Sequence, residues 1–79
     1  MLSVTLLTKP GCHLCDEARD HLDDWAADHE IDLHEVDIRS DDALFELYRY
    51  RIPVILVDNE VRLEGRITAD DVASALGRQ

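Results

Sequence analysis

Apolar residues recur along this chain with two different spacings, and each spacing predicts one kind of element. Residues 3–8 are β-branched and apolar, which is typical of a buried strand. From residue 12 to residue 29 the apolar positions recur every three or four residues, which predicts an amphipathic helix. Residues 32–38 alternate in part between apolar and polar, so we predict a second strand there.

The middle of the chain predicts a short helix followed by another buried strand. A polar residue at positions 40–42 can cap the helix, because its side chain accepts hydrogen bonds from free backbone N–H groups. The helix should end before Ile52-Pro53, since the residue preceding a proline avoids helical geometry. Residues 54–57 are a continuous apolar run, typical of a strand covered on both faces. We expect Tyr48 and Tyr50 to pack in the core or at its rim.

The last third of the chain predicts a hairpin and a final helix. Asp58-Asn59 is a two-residue turn signal that leads into a strand over residues 60–63. Thr68 and Asp71 have the spacing of a helix cap, and Gly77 marks the end of that helix.

The predicted order is therefore β-α-β-α-β-β-α, which belongs to the α/β class. The first two strands are joined by a crossover helix and should be parallel, whereas the hairpin strands should be antiparallel. We expect a four-stranded mixed sheet flanked by three helices. At 79 residues the chain has the length of one small domain, which we take to span residues 1–79.

Composition and charge narrow the function classes. The apolar fraction of 46% argues against disorder, and no apolar run approaches the roughly 20 residues that span a bilayer. The N-terminus lacks the basic start and cleavage site of a secretory signal, so we expect a cytoplasmic protein. The net charge is −10, and residues 12–47 carry thirteen acids against two arginines. Such a surface repels nucleic acid and anionic lipid, so we expect neither as a partner.

Cys12 and Cys15 are the only cysteines, and they lie where the first strand gives way to the first helix. Free amides at a helix start favour negative charge on the first sulfur, which can become a nucleophilic thiolate near neutral pH. The second sulfur lies one turn further on, close enough to form a disulfide. In a reducing compartment such a pair is more often catalytic or metal-binding than structural. We interpret it as a redox pair.

A zinc site is the alternative that the spacings raise. Cys12, Cys15, His29 and His34 match the length rule for two cysteines and two histidines. A helix of roughly 18 residues spans about 27 Å, however, and it would separate His29 from the sulfurs. We therefore predict no metal site.

The stretch Lys9-Pro10-Gly11-Cys12-His13-Leu14-Cys15-Asp16-Glu17-Ala18 resembles the short glutaredoxin-like proteins of the thioredoxin superfamily. The resemblance extends to the order of elements, to Ile52-Pro53 and to Gly65. It implies a thioredoxin fold in which Cys12 is the exposed nucleophile and Cys15 the resolving thiol. It also implies a cis Pro53 beside the sulfurs and an Ile52 backbone that pairs with substrate or glutathione.

Lys9 and Asp70 match positions that contact glutathione in the family, so the resemblance further implies a glutathione groove. We expect Lys9, Arg51, Pro53, Gly65 and Asp70 to line it, because the cations can pair with the carboxylates of glutathione and Asp70 with its ammonium. Glutathione would be a cosubstrate, and no tightly bound cofactor is expected.

Two departures from the family pattern weaken such binding. Leu14 replaces the usual aromatic before the second cysteine, and Glu64 replaces a glycine and could repel a glutathione carboxylate. Two further residues have open roles. His13 either stabilises the Cys12 thiolate or is merely exposed, and Arg51 either presents a cation to substrate or is an ordinary solvated arginine.

The chain is thus expected to be a monomeric thiol-disulfide oxidoreductase. Its partners would be disulfide-containing proteins or glutathione mixed disulfides, reduced through the C-x-x-C dithiol. The alternative is a binding module that keeps the fold and holds a partner peptide at the Ile52-Pro53 edge without turnover.

Overall fold

Strands and helices follow one another in the predicted order, β-α-β-α-β-β-α, in a computed structural model that describes residues 2–77. The strands are β1 (Leu2–Thr8), β2 (Ile31–Asp37), β3 (Val54–Val57) and β4 (Glu60–Glu64). The helices are α1 (His13–Asp28), α2 (Asp42–Tyr48) and α3 (Ala69–Leu76), with a 3-10 turn at Ile38–Ser40 before α2. No helix within residues 2–77 combines the length and the apolar character needed to cross a membrane.

The strands form one mixed sheet in the order β2-β1-β3-β4. β1 is parallel to β2 and β3 is antiparallel to β4, as the sequence predicts, and β3 is also antiparallel to β1. Leu7, near the end of β1, pairs with Val54, the first residue of β3. This register brings the loop after β1 and the segment before β3 to the same end of the sheet, so the cysteines and Pro53 share that end.

Helices cover both faces of the sheet, because strand side chains alternate between the faces. On one face Val4, Leu6, Ile55 and Val57 pack against α1 and α3. On the other face Leu7 and Val54 pack against α2 and Ile38. Both clusters contain residues of β1 and β3, and these two strands occupy the centre of the sheet.

Local signals in the sequence account for several of the boundaries. Asp58 and Asn59 both have positive φ, +51° and +71°, as a two-residue hairpin turn requires. The Asp41 carboxylate caps α2 by accepting from the N–H of Ala43 at 2.8 Å. Thr68 and Asp71 form a reciprocal capping box at the start of α3.

The predicted end of β2 is wrong by one residue. Ile38 has the apolar character of a strand residue and is fully buried, but it opens the 3-10 turn. The Asp37 carboxylate accepts from the N–H of Arg39 at 2.9 Å, which turns the chain before Ile38 can extend the strand.

Candidate functional site

Cys12 is the N-cap of α1, and this position defines the geometry of the site. Its backbone is extended, with φ −97° and ψ 106°, and its Sγ accepts a hydrogen bond from the N–H of Cys15 at 3.2 Å. Gly11, just before it, has φ +77°, a left-handed conformation that lets the chain turn from β1 into the helix. The strand-to-helix placement predicted for the cysteine pair is therefore present.

The two cysteines are joined by a disulfide and differ in exposure. Their Cα atoms lie 5.2 Å apart. Cys15 has no exposed surface, whereas Cys12 is half-buried. Cys15 is on the buried side of α1, which also carries Ala18 and Leu22 into the core. An incoming molecule therefore reaches the sulfur of Cys12 before that of Cys15.

The Ile52–Pro53 peptide bond is cis, and Pro53 is buried at the start of β3. The carbonyl of Pro53 accepts from the N–H of Gly65 at 2.9 Å, which ties the segment to the end of β4. The N–H of Ile52 already donates to the carbonyl of Tyr48 at 3.1 Å. A substrate strand can therefore pair only with the carbonyl of Ile52, unless the bond from the Ile52 N–H to Tyr48 opens.

Arg51 and Glu64 form a two-pronged ion pair next to this segment. Nε of Arg51 donates to Oε1 of Glu64 at 3.0 Å, and Nη2 of Arg51 donates to Oε2. The guanidinium also lies over the ring of Tyr48, 5.0 Å from its centre. These hydrogen bonds raise the pKa of Arg51 and lower the pKa of Glu64. The Arg51 guanidinium, for which the sequence leaves a substrate contact and a solvated position open, already has a carboxylate partner.

His13 and Leu14, the two residues between the cysteines, differ in exposure. His13 is 88% exposed, and its Nε2 lies 3.3 Å from Oε2 of Glu17, one helical turn away. Leu14 is half-buried. The ring of His13 is therefore placed beside a carboxylate of its own helix, which offsets any positive charge it offers to the Cys12 sulfur.

The remaining predicted groove residues lie on separate elements. Lys9 is exposed and lines a cleft of about 170 Å³ at the ends of β1 and β2, together with Asp16 and Asp37. Gly65 has φ +73° and contacts the Pro53 segment, while Asp70 is exposed in the first turn of α3. The structure thus brings Arg51, Pro53 and Gly65 together, with Lys9 on the side of β2.

Sequence reasoning missed an ion-pair network beside the cysteines. Arg19 donates to Asp16 at 2.8 Å and to both carboxylate oxygens of Glu35 at 2.7 and 2.8 Å. These hydrogen bonds raise the pKa of Arg19 and join α1 to β2. The spacing of Asp16 and Arg19 on one helix was the available signal.

Two other expectations concern tyrosine packing and the zinc spacing. Tyr48 packs on the α2 side of the sheet, but the expectation for Tyr50 is wrong, since it is 86% exposed beyond the end of α2.

The zinc spacing involves His29, which caps the far end of α1, about 24 Å from the start of that 16-residue helix. Among residues 2–77, no three His, Cys, Asp or Glu side chains converge to hold a metal ion.

The sequence matches the family described as Glutaredoxin-like domain (DUF836) over residues 3–77. The chain belongs to this family. No curated protein matches it. The match covers the cysteine pair, the Pro53 segment and all the strands and helices from β1 to α3 except the first residue of β1.

Solved structures show the same fold for this glutaredoxin-like protein. It is similar to the target protein XcR50 from X. campestris, with 29% identity over 96% of this chain and 97% of that one, and a TM-score of 0.80. Protein Ne2328 from Nitrosomonas europaea gives a TM-score of 0.77 at 21% identity, over 92% and 88% of the two chains. A point-mutant thioredoxin from Halobacterium salinarum gives 0.66 at 19% identity, over 94% and 74%. The thioredoxin fold expected from the sequence is confirmed.

Proposed function

We propose that this glutaredoxin-like protein is a thiol-disulfide oxidoreductase that uses Cys12 and Cys15. The observation that carries the proposal is the position of the Cys12 sulfur at the start of α1, where it accepts the N–H of Cys15. A hydrogen bond from a free helix amide, together with the helix dipole, favours a thiolate over a thiol. Cys15 has no exposed surface and is bonded to Cys12, as a resolving thiol requires.

The reaction follows from these positions. In the reduced protein the Cys12 thiolate attacks one sulfur of a substrate disulfide, forms a mixed disulfide and releases the other substrate sulfur as a thiolate. Cys15 loses its proton and attacks the Cys12 sulfur, which forms the Cys12–Cys15 disulfide and releases the second substrate thiolate. Two electrons pass to the substrate, and the two released thiolates take up the proton of Cys15 and one proton from water. Two thiols of a reductant such as glutathione then restore the dithiol.

Two substrate classes suit the site, a disulfide-containing protein and a glutathione mixed disulfide. Asp70 is exposed in the first turn of α3 and can accept from the ammonium of glutathione, which supports glutathione as cosubstrate, whereas Lys9 lies apart on the β2 side. The pairing of Arg51 with Glu64 works against glutathione. We propose a monomer without a tightly bound cofactor, acting in the cytoplasm, because only a reducing compartment returns the pair to the dithiol.

A turnover assay tests the proposal. Bis(2-hydroxyethyl) disulfide serves as substrate and glutathione as reductant, and the wild type is compared with Cys12→Ser and Cys15→Ser. Cys12→Ser should abolish turnover, whereas Cys15→Ser should accumulate a mixed disulfide that mass spectrometry detects. Circular dichroism establishes that both variants keep the fold. A folded wild type that neither turns over nor forms a mixed disulfide would instead favour a module that only binds a peptide.

A further inference from the structure

We infer that Glu64 determines the specificity of the site by pairing with Arg51 and neutralising it, which disfavours substrates that carry carboxylates. The inference rests on the proposed function, because it concerns which disulfides the site accepts. It assigns to Glu64 an active role as an internal ligand of the Arg51 guanidinium, two residues before Pro53.

Glu64 occupies the side of the Arg51 guanidinium that offers Nε and Nη2 together. A guanidinium carries five N–H donors, and a carboxylate bound through two parallel hydrogen bonds takes two of them. Glu64 takes these two with both of its oxygens, bonded to Nε and Nη2 of Arg51. A second carboxylate reaches such a cation only through its remaining donors, as Asp16 reaches Nη1 of Arg19, and on Arg51 it would meet the like charge of Glu64 there.

Arg51 is also held from its other sides, so it cannot easily turn to a new partner. Its backbone N–H donates to the carbonyl of Tyr48 at 2.8 Å. Its guanidinium lies 5.0 Å from the centre of the Tyr48 ring, a distance at which a cation is attracted to the ring face. Backbone, ring and carboxylate together orient the side chain toward β4.

The pair lies where it can affect an incoming disulfide. Arg51 is two residues before Pro53, and Glu64 directly precedes Gly65. The N–H of Gly65 donates to the carbonyl of Pro53 at 2.9 Å, so the two segments that carry the pair are in contact. The side chains are 44% and 39% exposed, so the pair stands at the rim, beside the end of the sheet that holds the cysteines.

The pairing of Arg51 with Glu64 changes which substrates the site prefers. With Glu64 in place the pair has no net charge, and the chain as a whole carries −10. A substrate carboxylate that displaces Glu64 gains an ion pair with Arg51, but it leaves the negative charge of Glu64 unpaired and next to its own. Small disulfides rich in carboxylates are therefore disfavoured, and neutral or basic protein segments are the substrate class that the rim accepts.

The test measures binding and needs no turnover. S-methylglutathione carries two carboxylates but has a thioether, so it cannot exchange with the cysteines. It is titrated into the oxidised protein while the amide chemical shifts of Arg51 and Gly65 are followed. The variants are Glu64→Gln, the double variant Arg51→Gln with Glu64→Gln, and Glu60→Gln as matched control. Glu60 lies on the same strand and loses the same charge, but it pairs with Arg62 at the hairpin end.

Glu64→Gln should tighten S-methylglutathione about threefold to fivefold relative to Glu60→Gln, the size of a typical exposed charge pair. Adding Arg51→Gln should remove that gain. Equal affinities of the two single variants, a gain that survives without Arg51, or no binding by any variant would each overturn the inference. Since the probe cannot react, a protein that reduces no disulfide still decides this point, and failure of the turnover assay counts only against the proposed function.

Discussion

The backbone N–H of Cys15 donates to the Sγ of Cys12 across 3.2 Å. The cap that starts α1 is thus made by the more exposed of the two sulfurs, at the end of the helix that favours negative charge. Helix stability and sulfur reactivity are coupled through this one contact, because the group that satisfies the free amide is also the candidate nucleophile.

The first prediction concerns which cysteine reacts. In the reduced protein at neutral pH, iodoacetamide should alkylate Cys12 faster than Cys15, because Cys12 is half-buried and sits at the amide end of the helix, whereas Cys15 has no exposed surface. Time-resolved peptide mass spectrometry measures both rates in one sample. The same protein in urea is the control, where the two rates should converge. Faster labelling of Cys15 in the folded protein would reverse the proposed roles.

The second prediction concerns the capping box of α3. Thr68→Ala removes the acceptor of the Asp71 N–H at 3.1 Å, and the loss of such a cap costs about 1 kcal/mol of unfolding free energy. Urea unfolding measures the change. Ser74→Ala is the matched control, because Ser74 is exposed inside the same helix and caps nothing among the described residues. It should leave the stability unchanged or raise it slightly, since alanine is the better helix former.

The third prediction concerns Trp25 and His29. Their rings stack with centres 3.8 Å apart and planes 3° apart. His29→Ala should lower the free energy of unfolding by about 0.5–1.5 kcal/mol, the usual size of such a ring pair. Trp25 is the only tryptophan, so its emission should also shift to longer wavelength as one ring face becomes hydrated. His34→Ala, which removes an exposed histidine paired with Asp32, should change neither quantity. An unchanged emission spectrum in His29→Ala would show that the stacking does not persist in solution.

Local chemistry explains what the sequence predicts well. The turn at Asp58-Asn59, the box at Thr68 and the cap at Cys12 each depend on residues within four positions of one another, so their spacing carries the information. The strand directions within the pairs β1–β2 and β3–β4 also follow from local evidence, because a crossover helix and a two-residue turn leave few arrangements open. The pairing of β3 with β1 joins distant segments and is seen only in the structure.

Contacts between distant segments explain what the sequence could not predict. Arg51 and Glu64 were each recognised as charged residues near the site, but their pairing across thirteen positions depends on how β4 folds back to the Pro53 segment. The bond from the Ile52 N–H to the Tyr48 carbonyl likewise depends on how the chain leaves α2. Tyr50 was misplaced because α2 ends at Tyr48, beyond which helical periodicity no longer assigns a residue to a face.

The fourth prediction concerns the pH dependence of stability through Glu64. The hydrogen bonds from Arg51 lower the pKa of Glu64 in the folded protein below its ordinary value of 4.5. A carboxylate with a lowered folded pKa contributes stability above its unfolded pKa and loses that contribution as the pH falls through the folded pKa. The urea midpoint of the wild type should therefore fall more steeply below pH 4.5 than that of Glu64→Gln, and the two should have the same slope near neutral pH. Arg51→Gln should return the titration of the Glu64 carboxyl, followed by NMR, to its ordinary range. Asp37→Asn is the matched positive control for the pH effect. Arg39 lowers the pKa of Asp37 as Arg51 lowers that of Glu64, so this variant should also have a less steep acid profile than the wild type, at a site away from Pro53. Parallel acid profiles for the wild type and Glu64→Gln would mean that the ion pair between Arg51 and Glu64 does not form in solution. The inference that this pair determines the specificity of the site would then be wrong as well.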